Sequence, residues 1–327
     1  MAEGQLPFFE TSESAPIDVA DDLRDVSWLF ALTRLDGIGN RRALQIVQHF
    51  KSAEVLRAAS ESEIASVVGK VKASFKNIKA SNPVLDGDVF ITTYFDSEYP
   101  PGIRDLSDPP LILWHRGSIP KQKSISIVGT RNIDDWGRST TRKLAQMAGE
   151  AGFAVVSGLA LGVDTEAHIG CLATTSPTVA ILACDVRFPT PKSNANLANQ
   201  ILEAGGCLIA EVPLGATTEA HSLISRNRLQ AAWSQSLLVT QCGIPSGTLH
   251  TVRFALELER TLVVLKPPHE ARGEQYEGIR NLTDDYKFDS RILGGSKKFQ
   301  ESNQGKTRGA DIVIGSISEF EKYLSNV

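Results

Sequence analysis

Cysteine is scarce and shows no pairing pattern. The four thiols of the 327-residue sequence, Cys171, Cys184, Cys207 and Cys242, lie far apart, form no CxxC and sit in or beside apolar runs such as TVAILAC. They read as buried free thiols, not as disulfides or zinc ligands, and no metal is expected. No apolar stretch approaches the roughly 18 residues that a membrane-spanning helix needs, and the N-terminus lacks the basic-then-apolar order of a secretion signal. A cytoplasmic protein without membrane attachment is the expectation. Excess positive charge is missing as well. The formal net charge is −4, and the first 26 residues hold Glu3, Glu10, Glu13, Asp18, Asp21, Asp22 and Asp25 against Arg24 alone, which is −6 and leaves +2 for the remainder. The chain is therefore no polybasic nucleic-acid coat, and any such site must be a local patch.

What is present divides into three stretches. Residues 1–22 are acidic, poor in apolar side chains and carry Ser, Thr and Pro, a composition that predicts a disordered leader. Over residues 23–82 the pattern turns helical. Trp28, Leu29, Leu32 and Leu35, then Ala43, Leu44, Val47 and Phe50 after a Gly-Ile-Gly turn, recur at three-to-four spacing, predicting a small all-helical domain. Near its end Lys70, Lys72, Lys76 and Lys79 fit a solvated helix face or a DNA contact equally well.

The remainder, 83–327, reads as one α/β domain with a lead-in. Pro83 to Pro120 is rich in proline and aromatics and predicts short strands and turns connecting two domains. From Lys123 onward the runs SISIV, FAVVS, TVAILA, CLIAE, SLLVT and TLVVL alternate with helix-length segments. These runs are apolar throughout, as strands buried on both faces must be. The expected fold is a doubly wound, mostly parallel sheet of extended Rossmann-like type. Beyond Pro267 the chain is rich in glycine and charge until DIVIG and SISEFEKYL, one more strand and helix, and the intervening 267–310 loop is expected to be mobile.

In an open parallel sheet, ligands bind beyond the carboxyl ends of the strands, where helix N-termini and free amides converge. The loops there read Gly129-Thr130-Arg131, Ser157-Gly158-Leu159-Ala160-Leu161-Gly162, Ser225-Arg226-Asn227-Arg228 and Ser246-Gly247-Thr248. Glycines admit an anion to the backbone, hydroxyls and amides donate hydrogen bonds, and arginine forks match phosphate oxygens. GxGxxG after the first strand, an acidic ribose clamp and a Walker A lysine are all missing, so no nucleotide cofactor is expected. Arg226 and Arg228 fall at what reads as a helix start, where cations oppose the helix dipole and an anionic ligand would remove the conflict. Gly158 and Gly162 also suit a tight strand-to-helix turn. Asp164 reads as a helix N-cap, and His168 as locally hydrogen-bonded rather than half of a metal site.

Taken together, IVGTRNIDDWGRSTTRKLA, VVSGLALGVDTEAH, PKSNANLANQI, SRNRLQAAWS and SGTLHTVRFALE resemble the DNA-processing A (DprA, also called Smf) family in order and spacing. The lead-in YFDSEYPPGIRDLSDPPLILWHRG is similar to that family's, and the likeness runs over roughly residues 25 to 265. The resemblance implies a Rossmann-like domain that grips single-stranded DNA, often as a homodimer, and helps load the RecA recombinase in natural transformation (competence) or related DNA processing. It implies no catalytic residue and no cofactor. Gly129 and Arg131 match the family's Gly-Ser-Arg turn, with Thr130 keeping the hydroxyl, while Lys192, Asn194, Arg226, Asn227 and Arg228 match its other basic strand-end motifs. DNA phosphates are thus expected at Gly129, Thr130, Arg131, Ser157, Gly158, Gly162, Lys192, Asn194, Arg226, Asn227, Arg228, Ser246 and Gly247, with Arg131 and Arg228 facing one groove. Leu161 departs from the pattern, since relatives carry arginine there within GLARG.

The turn LDGIGNRRAL resembles a helix-hairpin-helix, so the helical domain is expected to be SAM/helix-hairpin-helix-like. Gly37, Gly39, Arg41 and Arg42 would supply a secondary DNA contact, although a plain helix-helix turn fits the same residues. Two rival functions share the chain. One is an enzyme or sensor for a small nucleotide, like the Rossmann-like phosphoribohydrolases that split N-glycosidic bonds, with Glu211 or Glu166 as acid, although a PGGxGTxxE-like motif is missing. The other is a repurposed family member in phage defence or scaffolding, which Leu161 and the charged tail leave open.

Overall fold

The computed structural model describes residues 21–216, 220–283, 288–303 and 309–327, and the chain divides into two compact units, Met1–Asn82 and Pro83–Val327. The leader expected to be disordered lies outside the described residues as far as residue 20. Its last two positions are ordered: they open a short helix, Asp21–Arg24, and the Asp22 carboxylate accepts from the Ala53 amide at 2.9 Å.

In the first unit the helices Val26–Thr33, Asn40–Phe50, Ala53–Ala58 and Glu61–Val68 bury Trp28, Leu29, Leu32, Ala43, Ile46, Val47, Phe50 and Leu56. Their ends are set by side chains that satisfy orphan amides. Asp25, Ser52 and Ser60 each accept from a backbone N–H two or three residues on, and Ser60 with Glu63 forms a reciprocal capping box. Gly69, at φ 76°, takes a conformation that costs a side chain strain and stops the last helix. The lysines at 70, 72, 76 and 79 consequently sit exposed on irregular chain; the helix-face expectation fails because Gly69 precedes them.

The second unit is built on nine strands: β1 Phe90–Thr93, β2 Ile112–Gly117, β3 Ser124–Val128, β4 Ala154–Ser157, β5 Thr178–Leu182, β6 Cys207–Ala210, β7 Ser236–Val239, β8 Thr261–Leu265 and β9 Ile312–Ile314. Their order in the sheet is β1-β2-β6-β5-β4-β3-β7-β8-β9. The β1–β2 and β2–β6 pairings are antiparallel, and the other six are parallel. From β3 the chain winds outward to β6, then crosses back to β7 and winds the other way. The carboxyl ends of β3, β4 and β7 therefore meet where the winding reverses, the place where such sheets open a crevice. The proline-rich lead-in forms the short strands expected there. Its two strands join the edge of the same sheet, with Trp114 opposite Ala210, a non-local pairing that turn chemistry does not reveal.

Neighbouring residues of the central strands point to opposite faces, and both faces are covered. Ile125, Ile127, Val155 and Leu238 pack under the helices Asp135–Glu150, Val163–Leu172 and Ile317–Leu324. On the other face Val128, Leu237, Val156 and Ile181 pack against Ala220–Trp233 and Thr248–Glu257. Each fully buried aliphatic side chain contributes about 1.5–3 kcal/mol against leaving it in water. The tail expected to be mobile is packed over the part that is described. The turns Glu274–Tyr276 and Ser290–Leu293 and the helices Glu277–Leu282 and Lys297–Asn303 lay Tyr276, Ile279, Leu282, Phe288, Leu293 and Phe299 into the core formed with β7 and β8. All four cysteines are buried and free, and burial pushes the thiols of Cys171 and Cys242 up to about 11 and about 12. Among the described residues no helix is long and apolar enough to cross a membrane.

One buried side chain makes the unit sensitive to acid. The Thr178 hydroxyl donates to Val155 O at 2.8 Å, so its contact with His168 Nδ1 at 2.7 Å makes Nδ1 the donor and leaves Nε2 bare and buried. Burial holds the imidazole pKa down at about 3. A depressed folded pKa means that the unfolded chain takes the proton first, so stability is complete above the usual histidine value near 6.5 and is lost as pH falls from there toward 3. Acidification to pH 5 should cost about 2 kcal/mol through this group. Chemical denaturation of the parent and His168→Asn at pH 7 and pH 5 checks this. An equal loss in both proteins would assign the acid sensitivity to other groups.

Candidate nucleic-acid interface

The turn after β3 is stitched to its neighbours through the backbone. The Thr130 amide donates to Gln241 O at 2.7 Å and the Val163 amide to Thr130 O at 3.1 Å, tying the loops that follow β3, β4 and β7 together. Gly129 and Gly162 are required by this closeness. A Cβ at Gly129 would strike Val163 and Gln241, and one at Gly162, whose φ is 82°, would strike the Thr130 carbonyl. Arg131 next to this knot is exposed, and no ion pair to it occurs among the described residues.

The turn after β4 is held from inside. The Asp164 carboxylate accepts from the Gly158 and Ala160 amides at 3.1 and 3.3 Å. Asn194 Nδ2 donates to Leu159 O and to Thr165 Oγ1, both at 2.8 Å. Leu159 itself is buried at a left-handed φ of 61°. Arg226 lies directly on Gly158, where a Cβ would fall on its guanidinium. Its Nη1 donates to Ile181 O at 3.0 Å and stands 3.9 Å from Asp164. Burial pushes the Asp164 carboxyl above the usual carboxylate range, against the pull of Arg226; burial lowers the Arg226 pKa, and nearby Arg131 lowers it further. Ser157 is fully buried and donates to Ile127 O at 2.7 Å.

Several expected phosphate ligands thus face inward. Arg226, Asn227 and Arg228 lie well inside the helix Ala220–Trp233, so the conflict with the helix dipole inferred from sequence does not arise. Arg228 is buried, paired with Glu211 and 3.7 Å from Asp108. The expectation that it faces a groove with Arg131 is corrected, because its charge is already neutralised inside the fold. Asp164 is not the N-cap of its helix, a position held by Gly162. Half-buried Asn227 donates to Gly247 O at 3.3 Å, joining its helix to the Ser246–Gly247 loop, where Gly247 is exposed.

The exposed members are Arg131, Leu161 at 48 % exposure, Lys192 and Gly247. Arg131, Leu161 and Lys192 all border the 158–162 turn: Arg131 O abuts Gly162, and Lys192 opens the short turn Lys192–Asn194 whose last residue grips Leu159. Sequence reasoning missed Phe188, which is 67 % exposed on the loop after β5. Its signal was an aromatic flanked by Arg187 and Pro189, and the Arg187 guanidinium lies 5.2 Å from the ring centre.

The crevice where the winding reverses is bridged by the chain itself. Gly278 and Ile279 donate amides to Cys242 O at 2.9 and 3.3 Å, beyond β7. The Tyr276 hydroxyl bonds the carboxylate of Asp134, the residue that caps the helix after β3 by accepting from Gly137 at 2.8 Å. The carboxylates considered as acids are engaged too: Glu166 pairs with Arg142 at 2.6 Å, and Glu211 takes Arg228 and the Ser225 hydroxyl.

An open, mostly parallel sheet wound in both directions from β3 defines a Rossmann-like α/β protein. The sequence model of DNA recombination-mediator protein A matches residues 90–287, and the chain belongs to that family, as its motifs indicated. It is 30% identical over 271 residues to protein Smf of Synechocystis, covering 78% of this chain and 67% of that protein. Other curated relatives are matched over roughly half of their own length. Among solved structures it is similar to DNA processing protein A from Streptococcus pneumoniae, with TM-score 0.66, 21% identity and coverage of 78% of this chain and 91% of that one. It is also similar to the Helicobacter pylori protein, with TM-score 0.56, 24% identity and coverage of 72% and 95%.

Proposed function

We propose that the protein binds single-stranded DNA along the carboxyl edge of its sheet, without catalysing a reaction, and assists loading of the RecA recombinase in DNA uptake and recombination. In this reading it acts in the cytoplasm as a homodimer. The observation that carries the proposal is a pair of exposed cations, Arg131 and Lys192, on two loops fixed around one rigid turn. Fixing the backbone of the loops that carry the two cations spares part of the ordering cost of gripping a flexible anion. Phe188 supplies an aromatic face on which any base stacks. The Helicobacter pylori protein of similar fold is described by its single-stranded DNA binding mode, which supports the same assignment here. A nucleotide enzyme is disfavoured by the bridged crevice and by the occupied Glu166 and Glu211. In the helical unit, the exposed turn residues Gly37 and Gly39 and exposed Arg41 suit a secondary backbone contact, whereas Arg42 is spent on Gly37 O at 2.6 Å.

The test is a salt titration of labelled single- and double-stranded oligonucleotides, with ATP and NAD as competitors. Single strands should bind more tightly, with little sequence preference and a steep loss on adding salt, and the competitors should have no effect. Leu161→Arg places a third cation on the same rim and should tighten binding severalfold while steepening the salt slope by about 0.7. Displacement of DNA by a mononucleotide, or salt-insensitive binding, would replace this reading with the small-nucleotide one.

A further inference from the structure

We infer that Arg226 is a positioning residue for DNA binding that touches no phosphate, and that Asp164 is the resident anion of the 158–160 turn. The inference rests on the DNA-binding reading above and changes the part that the SRNR motif plays in it.

A glycine-rich strand-to-helix turn attracts phosphate because its amides lack partners. Here the Gly158 and Ala160 amides already donate to the Asp164 carboxylate, so the anion that such a turn calls for comes from the chain. Arg226 neutralises that anion from below. Its side chain is only 6% exposed, lies against Gly158 and is anchored on Ile181 O. Asn194 clamps the buried, left-handed Leu159 from the other side. The Gly158 and Ala160 amides are thus already taken and the Arg226 guanidinium is buried against them, so none of these three groups is offered to a DNA phosphate.

The assembly nevertheless shapes the rim. Leu161 follows Ala160 directly, and Gly162 lies so close to the Arg131 carbonyl that a side chain there would strike it. If the pair is broken on one side, the remaining charge is buried alone and the turn must rearrange; if both charges are removed together, no charge is left buried alone and the turn can persist.

The experiment compares Asp164→Asn, Arg226→Gln and the double variant with the parent, by thermal melting and by single-stranded DNA affinity across a range of salt. Arg131→Ala serves as the reference for a direct contact. Each single variant should melt lower and bind roughly tenfold more weakly or worse. The double variant should recover most of both losses and keep the parent's salt slope, while Arg131→Ala lowers the slope by about 0.7. A double variant that melts like the parent yet loses that slope would show Arg226 to be a phosphate ligand and overturn the inference. Melting losses that simply add in the double variant would also overturn it, because the two charges would then be uncoupled. A parent that binds no single-stranded DNA at any salt removes both the functional reading and the positioning role, while the melting comparison still decides whether the two charges are paired.

Discussion

Gly158→Ala is expected to destabilise the second unit by about 3–5 kcal/mol, lowering Tm by on the order of 10 °C, and to abolish tight DNA binding with it. The added methyl would occupy the position of the Arg226 guanidinium, and nothing else there can give way. Behind Arg226 is the Ile181 carbonyl, and beside it is the Asp164 carboxylate. Eviction therefore leaves a buried carboxylate without its counter-charge, a larger penalty than overpacking alone, which usually costs about 1–3 kcal/mol. Gly247→Ala is the matched comparison. Gly247 has φ −60°, and a methyl added there would meet no atom within 4 Å, so its melting should stay at the parent value. Equal melting of the two variants would mean that the turn after β4 has slack that its contacts do not suggest.

The second large effect concerns affinity alone. Arg131→Ala combined with Lys192→Ala should weaken single-stranded DNA binding by roughly a hundredfold at low salt and lower the salt slope by about 1.4, the equivalent of two phosphate contacts. Both side chains are exposed, without an ion pair among the described residues, so melting should be unchanged. Because exposed contacts are screened, the gap between variant and parent should shrink as salt rises. A normal melt with parental affinity would place the DNA elsewhere, and Arg41 on the helical unit would be the next position to test.

Most of the sheet was legible because its central strands are buried on both faces, which leaves unbroken apolar runs that no surface strand carries. The loops at the strand ends were legible as chemistry but not as orientation. Arg131 and Arg228 look alike in sequence, yet one is exposed and the other is paired with Glu211. The direction in which an arginine points depends on a carboxylate in another loop, and local spacing carries no trace of that. The glycines of the 158–162 turn were readable as phosphate cradle or tight turn, and packing around Arg226 favours the turn. The tail was misread because its glycines and charges outnumber its apolar residues. Tyr276, Ile279, Leu282 and Phe299 nevertheless suffice to dock it, since β7 and β8 present a complementary surface. The place of the lead-in strands at the sheet edge was not legible, their partner β6 being remote in the chain.

The bond between Tyr276 and Asp134 spans 142 positions, which gives the proposed interface a place in time as well as in space. A chain made from its N-terminus exposes the loops after β3 and β7 before residues 274–279 exist to bridge them. Closing so long a loop carries an entropic cost that only the finished contacts offset, and elements that depend on distant partners form late. The carboxyl edge proposed to hold DNA is therefore completed only after β8 has been made, and a nascent chain stopped there would hold eight of the nine strands with an unfinished rim.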